Sequence, residues 1–584
     1  MPEEDWGWKP PRQAGSLSYY PAVGSVILRR MKWRLCLLLL FSPSVHSAPA
    51  SHGAVATVHP LATEAALEAM RSGGNAVDAI VAAALTLGVV DSHNAGLGGG
   101  CFLLIRTPDG SFVGIDGREQ APAAATADMF VREGKSDPRL SQFGALAIAV
   151  PGALAAYDYA SRTHGRIPLA RHLEAAAHLA ANGFQVTRTL AKRLEENAGE
   201  LRHFESSRAV FLKPDGSPWR EGDLFAQLDL AQSYKSIASK GTSWFYEGPF
   251  ASAAAAWMKA NGGLITEADF KSYQFKLREP VRTTYRGCEV VGFPPPSSGG
   301  VHVGQILNIL EQFDLKKLGS ESPEFVHIVA EAMKLAFADR AHWLGDPDFA
   351  PVPRGLISKE YAARLAAKID RRRVSAVQGH ETPPRSAEDV FGKHTTHFSA
   401  ADAEGFWVAC TATINTSFGS KVVIPSTGIV MNNQMDDFSL QPGVPNYFGL
   451  VGAEANAVAP GKRPLSSMSP TIVSRDGRPI LSVGAAGGPT IISQTLLAIL
   501  YVVDFGMPAG KALAMPRFHH QWLPDELRVE RSMPEKVRRD LEKRGHKLKL
   551  VESIGVAQAV AFDGRKSEFT GVADPRTEGK AGAF

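Results

Sequence analysis

The segment His394-Thr395-Thr396-His397-Phe398-Ser399 contains the residues best suited to chemistry, because it places a hydroxyl nucleophile beside a peptide bond that can be cut. If the bond between residues 394 and 395 is broken, Thr395 gains a free α-amino group next to its own hydroxyl. An α-amine has a pKa of about 7.7–8.0, so a useful fraction is neutral near pH 7 and can act as general base. An isolated Thr-Thr pair, by contrast, is ordinary strand composition.

A β-hairpin is predicted to position this segment. The polar stretch Val377 to Lys393 precedes it, with two prolines and several charges, and suits an exposed cleavage point. Thr395 to Ala401 is predicted as the first strand, Asp402-Ala403-Glu404-Gly405 as the turn, and Phe406 to Ile414 as the second strand. The pattern therefore puts a threonine at the start of a strand, directly after a chain segment that can be processed.

Five sequence blocks extend this observation over the last third of the chain. They are Thr395-Thr396-His397-Phe398-Ser399, Asn415-Thr416-Ser417-Phe418-Gly419, Asn432-Asn433-Gln434-Met435-Asp436-Asp437-Phe438, Lys462-Arg463-Pro464-Leu465-Ser466-Ser467-Met468-Ser469-Pro470 and Gly484-Ala485-Ala486-Gly487-Gly488. In these blocks, their order and their spacing, the chain resembles the γ-glutamyltransferase (γ-glutamyltranspeptidase) family of N-terminal-nucleophile hydrolases. Weaker similarity extends from about residue 50 to the C-terminus.

The resemblance implies a fold and a processing scheme. The fold is an α+β four-layer αββα sandwich with two central antiparallel sheets, and the alternation of helical and β-rich stretches agrees with such layers. Autocatalytic cleavage between His394 and Thr395 is implied. Residues 1–50 would then be an upstream extension and signal peptide, 51–394 the large chain and 395–584 the small chain. The two chains would form a heterodimer that folds as one unit.

The resemblance also implies a reaction. It is γ-glutamyl acyl transfer from glutathione and other γ-glutamyl compounds to water or to amino acid and dipeptide acceptors, through an ester on Thr395. No cofactor and no metal are implied.

Each site residue is carried over from a matching position. Thr413 assists the nucleophile and the amides of Gly487 and Gly488 stabilise the oxyanion; Arg118, Ser466 and Ser467 bind the α-carboxylate; and Asp437, with Gln434 and Asn415, binds the α-ammonium. Period-2 geometry puts Thr413 and Asn415 on one face of the second strand.

The lid loop, Pro445-Asn446-Tyr447-Phe448-Gly449, departs from the family pattern. Bacterial members of the family have a tyrosine at the tip position that Phe448 holds here. A phenylalanine lacks the hydroxyl that would bond to Asn415, so either the lid closes less firmly or Tyr447 takes over. The departure affects the balance between hydrolysis and transfer.

Two other functions remain open. The first is an acylase for glutaryl-type β-lactam side chains on the same fold, and the second is an unprocessed, inactive paralogue that only binds. A glutaryl group has no α-ammonium to pair with Asp437, so the presence of both Arg118 and Asp437 favours the γ-glutamyl reaction. No G-x-S-x-G elbow of a conventional serine hydrolase is present.

Composition excludes several classes. The chain has 584 residues with 44% hydrophobic and 21% charged content, which is ordinary for a globular protein. A net charge of +4 without a basic stripe gives no reason to expect nucleic acid as a partner. No HExxH is present, and His327 and Glu331, one helical turn apart, are predicted as a solvated pair and not as metal ligands.

The N-terminus carries an export pattern. Arg29-Arg30-Met31-Lys32-Trp33-Arg34 precedes the apolar run Leu35 to Phe41, and small residues follow through Ala50. We expect translation to start at Met31 and the protein to be secreted, or periplasmic in a Gram-negative bacterium. The apolar run is far shorter than the ~20 residues of a membrane span, so no permanent membrane anchor is expected.

Local patterns predict elements before the cleavage point. Thr63-Glu64 is predicted to start a helix, and Asn75 to cap a second that runs from Ala76 to Leu87. A hairpin is predicted around Pro108-Asp109-Gly110. Further helices are predicted for about 301–313 and 323–344, the first after the rigid loop 294–300.

Self-processing is the first testable prediction. The pure precursor should cut itself between His394 and Thr395 without a protease, because the Thr395 hydroxyl attacks the preceding carbonyl. Intact mass spectrometry of the Thr395→Ala protein should show a single uncut chain. Cleavage of that variant at the same bond would contradict the mechanism.

Overall fold

The computed structural model describes residues 47–384 and 397–584, and all of these residues lie in one compact unit. His394 and Thr395 lie outside the described residues, as do the predicted export segment through residue 46 and the stretch 385–396. Among the helices of the described part, none is long and apolar enough to cross a membrane.

The strands form two large antiparallel sheets and smaller ones. In chain order they are β1 Gly53–Thr57, β2 Gly100–Arg106, β3 Phe112–Gly117, β4 Val131–Arg132, β5 Lys135–Ser136, β6 Phe184–Gln185, β7 Leu224–Phe225, β8 Lys276–Arg278, β9 Val281–Tyr285, β10 Cys288–Gly292, β11 Phe398–Asp402, β12 Trp407–Thr413, β13 Thr471–Arg475, β14 Arg478–Ala486, β15 Phe518–His519, β16 Leu527–Glu530, β17 Leu548–Val551, β18 Val556–Asp563, β19 Glu568–Ala573 and β20 Lys580–Ala583. The seven-stranded sheet has the order β20-β1-β11-β12-β2-β3-β8 and the six-stranded sheet the order β19-β18-β14-β13-β10-β9.

Helices cover the outer faces of both sheets. They are α1 Pro60–Arg71, α2 Ala76–Val90, α3 Pro138–Gln142, α4 Ala153–His164, α5 Leu169–Asn182, α6 Arg188–Leu201, α7 Glu205–Phe211, α8 Leu228–Lys240, α9 Ser243–Tyr246, α10 Pro249–Ala260, α11 Glu267–Ser272, α12 Gly299–Leu310, α13 Leu315–Leu318, α14 Pro323–Trp343, α15 Lys359–Ala366, α16 Thr490–Val503, α17 Ala509–Ala514 and α18 Glu535–Lys543. The core beside the seven-stranded sheet contains α2, α4, α5 and α8, and the core beside the six-stranded sheet contains α12, α14 and α16.

The alternation of side chains along β2 shows how one strand serves two cores. Leu103 and Ile105 face the helices, while Phe102 and Leu104 face the second sheet. Phe102 stacks there on Phe293, which follows β10, with ring centroids 4.5 Å apart. Successive side chains of a strand point to opposite faces, so a strand that is buried on both sides reads as a continuous apolar run. The predicted four-layer αββα sandwich is confirmed.

Most predicted elements are present with shifted ends. The first helix begins at Pro60 and not at Thr63, because the His59 ring accepts the Leu61 amide and caps it. Asn75 caps α2 in a capping box with Asp78, as predicted, and this helix continues to Val90.

Glycines explain a second shift. Helix α12 begins at Gly299, two residues before the predicted start, and a side chain at Gly299 would overlap the backbone of Met468. Gly299 therefore allows close packing on Met468, Gly300 allows it on Gly292 and Phe293, and neither glycine interrupts the helix. The hairpin after the predicted cleavage point is present as β11 and β12, which pair from Phe398↔Cys410 to Ala401↔Trp407.

Candidate active site

A cavity of about 500 Å³ opens where strands of both sheets end. Most of the predicted site residues that the structure describes line it, namely Thr413, Asn415, Gln434, Asp437, Tyr447, Phe448, Ser466, Ser467, Gly487 and Gly488. Arg118 is the exception, because it is not one of the described residues that line the cavity. The cavity wall also contains His397, the first described residue after the predicted cleavage point.

His397 is held firmly between the two sheets. Its Nε2 lies 2.6 Å from Ser399 Oγ, and Ser399 Oγ lies 3.0 Å from Ser482 Oγ on β14. The ring packs on Gly484, where any Cβ would overlap it. Burial lowers the pKa of His397 to about 3, so the imidazole is neutral at physiological pH. The chain that follows the predicted cleavage point therefore enters the site from a fixed anchor.

Thr413 and Asn415 both reach the cavity, but not as neighbours on one strand face. Strand β12 ends at Thr413, and Asn415 has a φ of +77°, in the left-handed region. The Thr413 hydroxyl accepts the Asn415 amide at 2.8 Å, which caps the end of the strand. The predicted period-2 relation is thus wrong beyond Thr413, although both residues line the cavity. Asn415 Nδ2 donates to the Asn433 carbonyl at 3.0 Å.

Gly487 and Gly488 form the turn between β14 and α16. Their φ angles are +134° and +58°, values that favour glycine over residues with a Cβ. They precede α16, separated from it by Pro489, and their carbonyls accept the Thr490 and Ile491 amides at 3.3 and 3.1 Å. The N-terminus of α16, where the helix dipole is positive, therefore lies beside them. This end of the cavity can therefore stabilise a negative charge on a bound group.

Asp437 and Gln434 supply oxygen acceptors to the same cavity. Gln434 Nε2 donates to Asp437 Oδ2 at 2.6 Å, and within the described part of the chain Gln434 Oε1 is buried without a hydrogen-bond partner. Burial raises the pKa of Asp437, while the Arg118 guanidinium acts in the opposite direction. A buried carboxylate beside an unpaired amide oxygen can receive an ammonium group.

Arg118 lies behind Asp437 and is completely buried. Its Nη2 is 2.6 Å from Asp437 Oδ2, and its Nη1 is 3.3 Å from Glu119 Oε2. Burial raises the pKa of Glu119 to about 7. The guanidinium therefore has two carboxylate partners in the protein, and its role with a substrate carboxylate stays a prediction.

Ser466 and Ser467 are positioned by α12 and α14. Ser298 donates its backbone N–H and its hydroxyl to the Ser466 carbonyl, at 2.9 and 2.6 Å. Arg340 near the end of α14 donates to Ser298 Oγ at 2.9 Å and to Ser467 Oγ at 3.3 Å. Arg340 lines the cavity and was not predicted from the sequence. The sequence signal for it is the single arginine of α14, a helix whose residues are buried from Phe325 through Arg340.

The lid loop, residues 445–449, lies over the glycine turn. A Cβ at Gly488 would come within 2.6 Å of the Phe448 ring, so this ring packs flat against the turn. The Tyr447 side chain is 58% exposed. The predicted partner Asn415 is bonded to backbone, as described above, so Phe448 contributes packing where a tyrosine would offer a hydroxyl.

Two residues outside the predictions hold the lid loop by its backbone. Asp436 Oδ2 accepts the Tyr447 amide at 3.0 Å, and Gln521 Nε2 donates to the carbonyls of Phe448 and Gly449 at 3.3 and 3.1 Å. Burial, reinforced by the neighbouring charge of Asp437, raises the pKa of Asp436 to about 6. Backbone anchors of this kind leave no pattern in the sequence.

One group of donors in the described part has the spacing of a metal site. His327, Glu331 and His546 offer ligand atoms within 4.8 Å of one another, and all three are buried. The predicted solvated pair is therefore wrong, because His327 meets His546 from 219 positions away at 2.8 Å. Lys334 Nζ lies 2.8 Å from Glu331 Oε1, so the Lys334 ammonium supplies the positive charge that a metal ion would otherwise bring to Glu331. The group behaves as a polar core contact of α14.

Comparison with known proteins gives a consistent result. The family model described as Gamma-glutamyltranspeptidase matches residues 62–584. The chain is 45% identical over 535 residues to the glutathione hydrolase proenzyme of Escherichia coli (strain K12), covering 91% of this chain and 92% of that protein. It is 40% identical over 544 residues to the acylase ACY 1 proenzyme of Pseudomonas sp. (strain SE83), covering 91% and 93%. Among solved structures, the cephalosporin acylase of Bacillus halodurans superposes with a TM-score of 0.82 at 28% identity, covering 97% and 99%.

The contact between His397 and Gly484 generates a testable prediction. A methyl group at Gly484 would overlap the His397 ring and move the start of β11, so Gly484→Ala should slow self-cleavage at residues 394–395 at least tenfold. The cut and uncut chains can be followed over time on a denaturing gel.

Gly304→Ala is the matched control, because a Cβ there meets only atoms at 3.5 Å or beyond. It should process at the rate of the unmodified protein. If Gly484→Ala also processes at that rate, the fixed position of His397 does not govern cleavage.

Proposed function

The chain belongs to the gamma-glutamyltranspeptidase family, and from this premise we propose how its site carries out the family reaction. The protein is an enzyme that transfers γ-glutamyl groups from glutathione and other γ-glutamyl compounds. We propose that the acyl group is carried by Thr395 after cleavage at residues 394–395, and that 51–394 and 395–584 are the two mature chains.

Acylation begins at the amino-terminal threonine. The Thr395 α-amine takes the hydroxyl proton as the oxygen forms a bond to the γ-carbonyl carbon of the donor. The carbonyl oxygen becomes an oxyanion, which the amides of Gly487 and Gly488 stabilise. The carbon–nitrogen bond then breaks, the leaving amine takes the proton, and a γ-glutamyl ester remains. His397, two residues after Thr395, anchors this end of the chain at the cavity wall.

One observation supports a γ-glutamyl donor in particular: Asp437 and Gln434 are hydrogen-bonded to each other in the wall of the cavity that the glycine turn also lines. The γ-glutamyl substrate carries an α-ammonium that a carboxylate and an amide oxygen can bind. Gln434 Oε1, which has no hydrogen-bond partner among the described residues, can accept a hydrogen bond from this ammonium. Ser466 and Ser467 offer hydroxyls to its α-carboxylate. We propose that Arg118 contributes charge to the same head group from behind Asp437.

Deacylation uses a second nucleophile from the same side. Water, an amino acid or a dipeptide attacks the ester carbon, and the Thr395 α-amine takes its proton. The amine then gives this proton to the Thr395 oxygen as the bond between that oxygen and the acyl carbon breaks. The donor head group stays bound to the cavity wall, so the acceptor enters where the leaving amine departed. We propose both hydrolysis and transfer, and export of the enzyme from the cell before it acts.

A second candidate function has a specific basis. The similarity to an acylase ACY 1 proenzyme and to a cephalosporin acylase structure favours an amide hydrolase for glutaryl-type side chains. A glutaryl group would bring no ammonium to Asp437 or to Gln434 Oε1, and a buried amide oxygen that gains no hydrogen-bond donor when the substrate binds costs free energy. The γ-glutamyl reaction is therefore the function that the site supports best.

The Asp437→Asn variant tests substrate recognition. Loss of the charged partner should reduce kcat/KM for γ-glutamyl-p-nitroanilide by about 2–4 kcal/mol in free energy, while self-cleavage continues. Release of p-nitroaniline, with and without glycylglycine as acceptor, measures both hydrolysis and transfer. Glutaryl-p-nitroanilide, which lacks the α-amino group, serves as the matched donor. An equal loss with both donors would mean that Asp437 acts only through the fold.

The Phe448→Tyr variant tests the lid loop. One added hydrogen bond contributes about 0.5–1.5 kcal/mol, so KM for γ-glutamyl donors should fall by up to roughly tenfold, and the ratio of transfer to hydrolysis should rise. Tyr447→Phe is the companion variant. If only Tyr447→Phe changes donor binding, Tyr447 is the gate residue. If neither variant changes KM or the ratio of transfer to hydrolysis, the hydrogen bonds from Asp436 and Gln521 to the loop backbone alone hold the lid loop.

A further inference from the structure

Arg340 is a buried cation at the cavity wall that has no acidic partner among the described residues. Only 4% of its surface is exposed, yet it lines the cavity. In the part of the chain that the structure describes, no carboxylate forms an ion pair with it. Asp437 is the acidic residue whose charge acts on Arg340, and it is already bonded to Arg118.

Hydroxyl groups fix the Arg340 guanidinium in place. Nε donates to Ser298 Oγ at 2.9 Å and Nη2 donates to Ser467 Oγ at 3.3 Å. Ser298 in turn donates to the Ser466 carbonyl at 2.6 Å. The guanidinium is therefore bonded directly to Ser467 and, through Ser298, to Ser466, the two serines at the cavity wall. Its position does not depend on a bound molecule.

The two arginines near the site differ in their charge balance. Arg118 lies against Asp437 and Glu119, so its charge is compensated within the protein. Within residues 47–384 and 397–584, no carboxylate contacts Arg340 directly. Burial lowers the pKa of Arg340 to about 10, which still leaves it charged at neutral pH. Holding an unpaired cation out of water costs free energy, which an anion in the cavity would recover.

We propose that Arg340 provides a second positive charge, in addition to that of Arg118, for binding the α-carboxylate of the donor together with Ser466 and Ser467. The inference rests on the proposed function and adds a specificity-determining residue to it. The zwitterionic head group then spans two opposite charges, with its ammonium at Asp437 and its carboxylate at the Arg340 side. A guanidinium suits this task because its N–H groups can hold a serine hydroxyl and a carboxylate at once.

The test compares Arg340→Met on two donors that differ by one group. γ-Glutamyl-p-nitroanilide has the α-carboxylate, and 4-aminobutyryl-p-nitroanilide lacks it but keeps the amine. KM for the first donor should rise about 30- to 100-fold with kcat changed less than threefold, as for the loss of a buried charge partner. For the second donor, kcat/KM should stay within about threefold of the unmodified enzyme.

Inhibition by the products gives a second readout that needs no turnover of the poorer donor. The inhibition constant of L-glutamate against γ-glutamyl-p-nitroanilide should rise by the same 30- to 100-fold in Arg340→Met, as estimated above for the donor. The inhibition constant of 4-aminobutyrate should be unchanged in this variant. Arg340→Lys, which keeps the charge but loses the planar fork, should recover part of the loss.

Arg576→Met is the control for the loss of a partly buried arginine that serves only the stability of the fold. Arg576 bonds to Glu530 and Asp574 and is not among the described lining residues, so its loss should lower stability and affect both donors equally. Equal losses with both donors in Arg340→Met, or a loss confined to kcat, would overturn the proposal. If the unmodified enzyme releases no p-nitroaniline from γ-glutamyl-p-nitroanilide, the proposed function fails instead.

Discussion

The buried ion pair between Arg118 and Asp437 is the interaction on which the rest of the site depends. Its atoms are 2.6 Å apart, and the two side chains are 0% and 9% exposed. Arg118 belongs to the proposed large chain and Asp437 to the proposed small chain, so the pair joins them at the cavity. Removing one member of such a pair strands the other charge, at a cost of about 3–5 kcal/mol. The pair fixes Asp437, and Gln434 holds the same carboxylate oxygen from a second direction.

The sandwich brings these groups together because several strands end at one place. Strand β3 ends just before Arg118, β12 ends at Thr413, and β14 ends just before the glycine turn. The two sheets share one apolar core, so a shift of either sheet would move these ends apart. Helix α14 adds Arg340 from outside the sheets. A site assembled from strand ends of two sheets is rigid before any substrate arrives, and rigidity lowers the free energy spent on ordering a bound donor.

Sequence patterns predicted the parts of the molecule that follow local rules. The Asn75 helix cap, the hairpin of β2 and β3 and the hairpin of β11 and β12 are each marked by a few adjacent residues. Other features depend on contacts between distant segments. His327 was assigned to solvent because its burial against His546 has no local signal. Arg340 was missed because a helix buried on all sides has no polar face that marks which side meets a cavity.

The role of Thr395 as the acylated nucleophile is tested most directly by trapping the intermediate. The processed enzyme is mixed with a γ-glutamyl donor, quenched in acid and digested, and the peptides are analysed by mass spectrometry. A γ-glutamyl group on the peptide that begins at Thr395, attached through an ester that hydroxylamine releases, is the predicted result. Turnover with that peptide unmodified, or with the group on another residue, would contradict it.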